Sequence, residues 1–311
     1  MGAIDKKYKI PKIESKYVNI YKPKSAIFPG PDSPNFKAGK RYENWVPNDF
    51  TIIHGCGFWH MFGITHPCPS DFISSKEFSH ETIHEAEWQL FHAVSPTPDF
   101  AGSMFDGSFN QLDFILPADE RPGESRKIWA PIIWNREGRY LMIYSPSPFR
   151  MAESEDLMHW KPLGVVFESE NIDVDRDPNI MEKDGTYYLV YLASGGVYLR
   201  ESRDLRSFSE GRRILTVPDG VSAESPILKY IDGWYYLFYC IFDGQDMVNG
   251  AYDYRTFVFA AKNLSELDGS EPITCLDAHA PELFEDEKGD WYIASAEWPC
   301  RGVSAVRLVW E

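Results

Sequence analysis

Paired cysteines are the first feature that this sequence lacks. Its five cysteines are odd in number and show no Cys-x-x-Cys spacing; they are Cys56, Cys68, Cys240, Cys275 and Cys300. Such spacings mark zinc sites, and an even set in a short chain marks a disulfide framework. We therefore predict neither kind of site and interpret the thiols as free.

Basic charge and long apolar runs are also scarce. The 311 residues include 31 Lys and Arg against 47 Asp and Glu, for a formal net charge of −16. A charge of this sign repels nucleic-acid phosphates and anionic lipid surfaces. No apolar run is long enough for a transmembrane helix. The sequence thus predicts no nucleic-acid partner and no membrane partner.

An export signal is not visible, because residues Met1 to Lys16 are charged and contain no apolar core. We expect a cytoplasmic protein if the sequence is complete, and a periplasmic or secreted one if a leader has been removed. The location therefore stays open.

Aromatic residues, in contrast, are abundant. They make up 15% of the chain, with 10 Trp, 17 Tyr and 20 Phe. Aromatic side chains favour β-strands, and their faces stack on the apolar faces of sugar rings. This composition favours a β-rich fold with most aromatic side chains in the core, and it suits a carbohydrate ligand.

A repeat in the sequence indicates the architecture. A glycine turn followed by an aromatic-rich β run occurs five times, at Gly57, Gly138, Gly185, Gly233 and Gly289. Each turn predicts a β-hairpin. The intervals of 81, 47, 48 and 56 residues are close to the length of a four-stranded propeller blade. We predict an all-β, five-bladed β-propeller over residues 42–311, an N-terminal arm over residues 1–41, and an insertion in blade one between Thr65 and Glu87.

Equivalent positions in the repeats predict one functional site. Four of the glycines have a proline seven or eight residues before them, and Phe50 takes this position in blade one. The first strand of every blade lines the channel of a propeller, so the residues beside these positions converge on one mouth. These residues include Asp49, Asp177, Glu224 and His279. Because a buried acid costs several kcal/mol unless it is paired, three acids in one place favour function over packing.

Carboxylates in this arrangement are typical of glycoside hydrolysis. One carboxyl group protonates the leaving oxygen, and another activates water or attacks the sugar directly. A third acid raises the pKa of its neighbour by like-charge repulsion and helps to hold the sugar. We therefore predict Asp49, Asp177 and Glu224 as catalytic residues.

From about Trp45 to Trp310 the sequence resembles glycoside hydrolase family 43, the five-bladed propellers that include arabinanases, arabinofuranosidases and xylosidases and are related to families 32 and 68. Two motifs carry the resemblance. Trp129-Ala130-Pro131 is similar to the family's Trp-Ala-Pro, and Glu224-Ser225-Pro226 is similar to its Glu-Gly-Pro.

The resemblance implies a role for each acid. Asp49 corresponds to the general base, Asp177 to the residue that tunes the pKa and orients the acid, and Glu224 to the general acid of an inverting enzyme. His279 corresponds to a channel histidine that helps to hold a metal or water cluster. The resemblance thus leaves room for a structural Ca²⁺ at His279, whereas a hydrogen-bonded structural role stays open; no cofactor is required.

The sequence departs from family 43 in blade one. Its motif there is Pro47-Asn48-Asp49-Phe50, which resembles the Asn-Asp-Pro of family 32. Arg176-Asp177-Pro178 similarly resembles the Arg-Asp-Pro of that family. A retaining mechanism with Asp49 as nucleophile therefore stays open. The Trp-Ala-Pro motif, and the end of the sequence soon after blade five without the β-sandwich usual in family 32, favour inversion.

Further side chains are candidates for binding the substrate. Trp129 is either a core residue or a platform for a sugar ring, and Arg176 either pairs with an axial acid or binds a sugar hydroxyl. His54 and His92 are predicted to reach the pocket. The pair His80 and His84 lacks the HExxH spacing of a zinc site, so we predict a structural or substrate-contact role, with a solvated helical face as the simplest case.

These observations predict a glycosidase that releases a terminal arabinofuranosyl, xylosyl or galactosyl unit from an oligosaccharide or polysaccharide. The blade-one insertion would close one end of the cleft. Three alternatives stay open: a retaining fructosidase, a carbohydrate-binding propeller without catalysis, and a phosphorylase, which would need several cationic groups around the pocket.

Overall fold

The computed structural model of the protein describes residues 8–68, 84–242, 254–298 and 300–311. In these residues five antiparallel sheets of four or five strands surround one axis, accompanied by a small two-stranded sheet. The prediction of a five-bladed β-propeller is confirmed. No helix in the described ranges has the length and apolar character needed to cross a membrane.

The N-terminal segment and blade one contribute the first eight strands. The N-terminal strands are β1 (Pro11–Ile13), β2 (Val18–Tyr21), β3 (Ala26–Ile27) and β4 (Arg41–Tyr42). Blade one contains, from the channel outward, β5 (Trp45–Gly55), β6 (Phe58–Pro67), β7 (Leu90–Val94) and β8 (Asn110–Gln111). The predicted insertion follows β6, and residues 69–83, which include His80, lie outside the described residues.

The remaining blades follow in chain order. Blade two contains β9 (Trp129–Arg136), β10 (Arg139–Ser145), β11 (Phe149–Ser154) and β12 (Lys161–Phe167). Blade three contains β13 (Arg176–Lys183), β14 (Thr186–Ala193), β15 (Gly196–Ser202) and β16 (Arg212–Thr216). Blade four contains β17 (Ser222–Ile231), β18 (Trp234–Phe242), β19 (Arg255–Ala261) and β20 (Thr274–Leu276). Blade five contains β21 (Glu282–Glu285), β22 (Trp291–Glu297) and β23 (Gly302–Trp310). Short 3₁₀ turns lie at Ala101–Ser103, Ala118–Glu120 and Leu264–Glu266.

The N-terminal strands complete blade five. Strand β1 pairs with β23 from Pro11 opposite Trp310 to Ile13 opposite Leu308, and β2 pairs with the beginning of the same strand. The two ends of the chain are therefore joined in one sheet, and hydrogen bonds between the last strand and the N-terminal segment close the ring.

The repeated glycines form the hairpin between the first two strands of each blade. All five have φ between +70° and +86°, the left-handed region that glycine adopts at little cost. In blades three and four the preceding residues Asp184 and Asp232 are left-handed as well, as a type I′ turn requires. The predicted hairpins are thus confirmed in all five blades.

Apolar side chains fill the spaces between neighbouring blades. Five buried clusters correspond to the five blade interfaces, and each draws residues from the facing sheets of two adjacent blades. The interface of blades five and one also contains Ile20 and Tyr21 of β2. Many of the repeat aromatics, such as Trp59 and Tyr236, lie in these clusters.

A second repeated feature positions the functional site. One residue near the start of each innermost strand, or just before it in blade five, has positive φ; these are Asp49 (32°), Ala130 (39°), Asp177 (59°), Ser225 (50°) and Ala280 (42°). Strand pairing is irregular beside the first four. Such bulges redirect side chains, and here they turn consecutive side chains toward the channel mouth.

Candidate active site

A cavity of about 700 Å³ opens at the mouth of the channel where these bulges lie. The predicted acids Asp49, Asp177 and Glu224 line it, together with Trp129 and Arg176. These side chains come from four different blades, and the structure therefore brings together five of the eight site residues predicted from sequence. The size is in the range of small-molecule sites, about 300–1,000 Å³.

Asp49 accepts a hydrogen bond on each carboxylate oxygen. The Ser225 hydroxyl donates to Oδ1 at 2.6 Å, and the Asn48 amide donates to Oδ2 at 3.0 Å. Burial and the nearby charges of Asp177 and Glu224 raise the pKa of Asp49 well above its usual value, and the bond from Ser225 acts in the opposite direction. The two donors favour the ionised form, which can accept a proton or attack carbon.

Asp177 lies deepest among the three acids, with 3% of its surface exposed. The backbone N–H of Ser225 donates to its Oδ2 at 3.1 Å, and its own backbone N–H donates to the Ser145 hydroxyl at 3.3 Å. Burial raises the pKa of Asp177, whereas the charge of Arg176 lowers it. Asp177 is thus held rigidly beside the pocket.

Glu224 is the acid with the clearest character of a proton donor. Burial and the charge of Asp177 raise its pKa to about 7, against the attraction of Arg176. A carboxyl group with this pKa is about half protonated in neutral solution, so it can donate a proton as a general acid must.

Arg176 lies between two of the acids. Its Nε is 3.5 Å from Asp177 Oδ2, and its Nη2 is 3.6 Å from Glu224 Oε1. Of the two roles open from sequence, this geometry matches pairing with axial acids. The guanidinium balances part of the negative charge that three buried carboxylates would otherwise accumulate.

Trp129 belongs to a hydrogen-bonded wall that the sequence did not reveal. Its indole N–H donates to Glu87 Oε2 at 2.5 Å, and His84 Nδ1 donates to the same oxygen at 2.7 Å. The rings of His84 and Trp129 lie 4.8 Å apart. His84 and Glu87 both line the cavity, which agrees with a structural or substrate-contact role for His84 and not with a solvated helical face. Only the fold, which packs the end of the insertion against blade two, brings these residues together.

The wall contains a buried ion pair. Burial opposes charge on both groups, but the attraction between them raises the pKa of His84 above its usual 6.5 and lowers the pKa of Glu87 below its usual 4.5. The pair therefore stabilises the native state between pH 4.5 and the raised pKa of His84. Its contribution disappears as the pH rises through that pKa, or falls through the lowered pKa of Glu87.

Replacing Glu87 by Gln should destabilise the protein most within that window. We expect a loss of about 1.5–3 kcal/mol in the free energy of unfolding near pH 6, and a smaller loss at pH 9, because Gln still accepts from Trp129 but carries no charge. Urea unfolding at the two pH values measures this difference. Glu85→Gln, which removes an exposed carboxylate two residues away, is the matched control; an equal loss at both pH values in Glu87→Gln would contradict the ion pair.

His54 and His92 do not reach the cavity, which corrects the prediction for both. His54 is exposed and lies opposite Trp59 beside the hairpin turn, about 16 Å along β5 from Asp49. His92 is buried in the third strand of blade one, where its Nε2 is 2.9 Å from Nδ1 of His60 and its ring stacks on Phe62. Sequence reasoning placed them near the site because they share blade one, but only the start of the innermost strand faces the mouth.

His279 is buried on the channel side of blade five. Its ligand atoms and those of Glu224 and Cys240 lie within 4.8 Å of one another, a group that could hold a metal ion. Ca²⁺ takes six to eight oxygen ligands, whereas a thiol and an imidazole are softer donors. The group of Glu224, Cys240 and His279 therefore does not fit the Ca²⁺ predicted at His279.

Further residues that line the pocket include His66, Arg255 and Trp298. Trp298 directly follows β22 in the sequence. His66 and Arg255 carried no signal in the sequence, because their strands are outside the innermost position of a blade.

The arrangement can perform acid–base chemistry on a bound molecule. Three carboxyl groups line the same cavity, and a guanidinium contacts two of them. Glycoside hydrolysis requires functional groups of these kinds.

Comparison with known proteins agrees with this chemistry. The sequence model of the family "Glycosyl hydrolases family 43" matches residues 171–309, which span blades three to five. A curated relative, a 1,2-β-oligomannan phosphorylase from Thermoanaerobacter sp. (strain X514), is 24% identical over 207 residues. That alignment covers 62% of this chain and 66% of the relative, so the chain spans slightly less than two thirds of the relative's length.

Solved structures show the same fold. An exo-1,5-α-L-arabinanase from a bovine ruminal metagenomic library superposes with a TM-score of 0.60 at 18% identity, covering 86% of this chain and 97% of that one. A family 43 β-xylosidase/α-arabinofuranosidase from a compost microbial metagenome gives 0.58 at 15% identity, covering 85% and 91%. The protein has the five-bladed propeller fold of these structures. Over residues 171–309 it is similar to the glycosyl hydrolases of family 43, the family that the sequence motifs also resemble.

Proposed function

We propose that the protein hydrolyses terminal or short-oligosaccharide glycosidic bonds with inversion of configuration. Glu224 is the general acid, Asp49 the general base, and Asp177 the acid that tunes and orients Glu224. The observation that carries the proposal is the convergence of three buried carboxyl groups from three blades on one cavity. Glu224 has a pKa raised to about 7, and Asp49 receives a hydrogen bond on both oxygens, which favours its ionised form against the burial that raises its pKa.

Bond cleavage begins with proton donation by Glu224. Its proton goes to the glycosidic oxygen, which leaves as an alcohol, while positive charge develops at the anomeric carbon. The carboxylate that remains lies 3.6 Å from Arg176 Nη2, and this attraction stabilises it. The same guanidinium is 3.5 Å from Asp177, which couples the two acids.

Asp49 completes the reaction from the opposite side of the sugar. It accepts a proton from a water molecule as that water attacks the anomeric carbon, so the product carries the inverted configuration. Asn48 and Ser225 fix the orientation of its carboxylate. Because the carboxylate is already oriented, the active site does not have to reorganise during the reaction, and the reaction is faster as a result.

The substrate class follows from the pocket wall and the relatives. The arabinanase and the xylosidase/arabinofuranosidase named above act on pentose glycosides, and family 43 supplies the inverting mechanism. Trp129 is 6% exposed and presents a narrow apolar surface for a sugar ring. We propose a terminal arabinofuranosyl, xylosyl or galactosyl unit, with the wall of His84 and Glu87 limiting the cavity on the blade-one side.

Phosphorolysis is a second candidate that one observation favours. His66, His84, Arg176 and Arg255 line the cavity, and the curated relative is a phosphorylase. Arg176 contacts two acids and His84 contacts Glu87, so the positive charge of these two groups is balanced within the protein. With Asp49 also in the cavity, a phosphate anion would meet strong repulsion, so hydrolysis is the favoured function.

A substrate panel tests the proposal. Nitrophenyl arabinofuranoside, xyloside and galactoside and fructose-containing oligosaccharides are incubated with the protein, with and without inorganic phosphate. We expect free sugar from a pentoside or galactoside without phosphate. A sugar 1-phosphate formed only with phosphate would indicate phosphorolysis. Calorimetric binding of the sugars without turnover would indicate a carbohydrate-binding propeller and contradict the proposal.

A further inference from the structure

Ser225 occupies the left-handed position of blade four. Asp49 and Asp177 hold the same position in blades one and three, and alanines hold it in the other two blades. Serine adopts positive φ less readily than glycine does. The similar family motif has glycine at this position. Ser225 therefore differs from that motif by carrying a side chain, although the backbone conformation favours glycine.

The contacts of Ser225 explain what the side chain contributes. Its hydroxyl donates to Asp49 Oδ1 at 2.6 Å, and its backbone N–H donates to Asp177 Oδ2 at 3.1 Å. One residue therefore connects carboxylates from blades one and three, while standing next to Glu224. A glycine would preserve the N–H contact and lose the hydroxyl contact.

We propose that Ser225 is a positioning residue, whose hydroxyl holds the Asp49 carboxylate in the orientation in which it acts as base. This inference rests on the proposed function. It assigns to Ser225 a hydrogen bond that the glycine of the similar motif cannot make. Asn48 restrains the other oxygen of Asp49, so the two donors together fix the plane of the carboxylate.

The bond also affects when Asp49 is ionised. The charged groups that face Asp49 are Asp177, Glu224 and Arg176. Burial and the two acids raise the pKa of Asp49, and the Ser225 hydroxyl and Arg176 lower it. Removing the hydroxyl therefore raises this pKa further. The base is then protonated at higher pH, and the acidic limb of the pH–rate profile moves upward.

Two variants separate the effect of the Ser225 hydroxyl from the effect of the backbone conformation at this position. Ser225→Ala removes the hydroxyl and keeps a side chain at positive φ, whereas Ser225→Gly removes the hydroxyl and relieves the backbone. We expect both to lower kcat about ten- to a hundredfold with little change in KM, because a hydrogen bond to a charged group is lost in each. In both, the acidic limb of the kcat/KM profile should move to higher pH.

Ala280→Gly is the matched control, since Ala280 has φ +42° at the same position of blade five and carries no catalytic group. It should leave kcat unchanged. A loss of kcat in Ser225→Ala that Ser225→Gly restores would assign the effect to the backbone and overturn the proposal. Full activity with an unmoved acidic limb in both variants would overturn it as well.

Failure of this inference can be distinguished from failure of the proposed function. Asp49→Asn is measured alongside the Ser225 variants. If Asp49→Asn is inactive and the Ser225 variants behave as wild type, only the role of Ser225 is wrong. If Asp49→Asn is fully active, the role of the base itself is wrong.

Discussion

Replacement of Glu224 by Gln is expected to lower kcat about 10²–10⁴-fold on glycosides whose leaving group is a sugar or an alkyl alcohol. Gln has nearly the shape of Glu and cannot donate a proton of comparable acidity. Alcohols leave poorly without protonation, so the loss of the acid falls on the step that breaks the bond. KM should change little, because the amide keeps the volume of the side chain.

The dependence of the cleavage rate on the leaving group tests whether Glu224 is the general acid. A dinitrophenyl glycoside, whose leaving group needs no proton, should be cleaved by Glu224→Gln at a rate much closer to that of wild type. Glu282→Gln is the matched control: Glu282 is also buried with a pKa raised to about 7, but it lines a smaller cavity deeper on the axis. A loss of equal size on both kinds of substrate would contradict the assignment of Glu224.

Activity and stability should depend on pH differently in wild type and in Glu224→Gln. In wild type the acid must be protonated, so activity should fall on the alkaline side as the pH rises through about 7. The alkaline limb should be absent from the variant. Because the native pKa is raised above the unfolded one, wild type loses stability as the pH rises from about 4.5 to 7, whereas the variant does not. Its melting temperature at pH 8 should therefore equal or exceed that of wild type.

Replacement of Asp49 by Asn is expected to lower kcat about 10²–10⁴-fold on every substrate, whatever its leaving group. The amide cannot accept a proton from the attacking water, and water attack is needed for alcohols and nitrophenols alike. Asn can still accept one hydrogen bond from the Ser225 hydroxyl, so the fold and the neighbouring acids should be preserved.

The comparison of the two variants is the informative result for Asp49. Steady-state rates on a dinitrophenyl glycoside should remain low for Asp49→Asn and recover for Glu224→Gln. Circular dichroism and the melting temperature show whether each variant is folded. Recovery of Asp49→Asn on the activated substrate would contradict its role as base and assign it to the leaving-group side.

The sequence predicts the fold because the repeat has a physical cause. Each blade needs a tight turn between its first two strands, and a left-handed glycine such as Gly185 or Gly233 satisfies that need in a way that is visible in the sequence. The aromatic run after each glycine forms the second strand, which packs against neighbouring blades. Repetition of these local requirements reveals the number of blades without any knowledge of long-range contacts.

The sequence repeat also predicts the position of the central acids, but it does not predict the rest of the pocket. Asp49 and Asp177 lie at repeat-equivalent positions and Glu224 lies one residue before that position in blade four, so their convergence follows from the symmetry of the propeller. Glu87 and His84 lie in a segment that has no counterpart in other blades. Their contact with Trp129 depends on how that segment packs against blade two, and no periodic pattern in the sequence contains this information.

The incorrect predictions have a related cause. His54 and His92 share blade one with Asp49, but a propeller strand extends from one face of the ring to the other, and only one end of the innermost strand reaches the mouth. His54 lies at the opposite end of β5, and His92 lies two strands outward. The blade to which a residue belongs therefore does not determine its position along the propeller axis.

The stereochemistry of the first product tests the central claim most directly. Proton NMR is recorded during the first minutes of hydrolysis by wild type, before the released sugar mutarotates. We predict that the anomer opposite to that of the substrate appears first, because Asp49 acts through water and a single displacement inverts the anomeric carbon. Initial appearance of the retained anomer would contradict this account and make Asp49 a nucleophile.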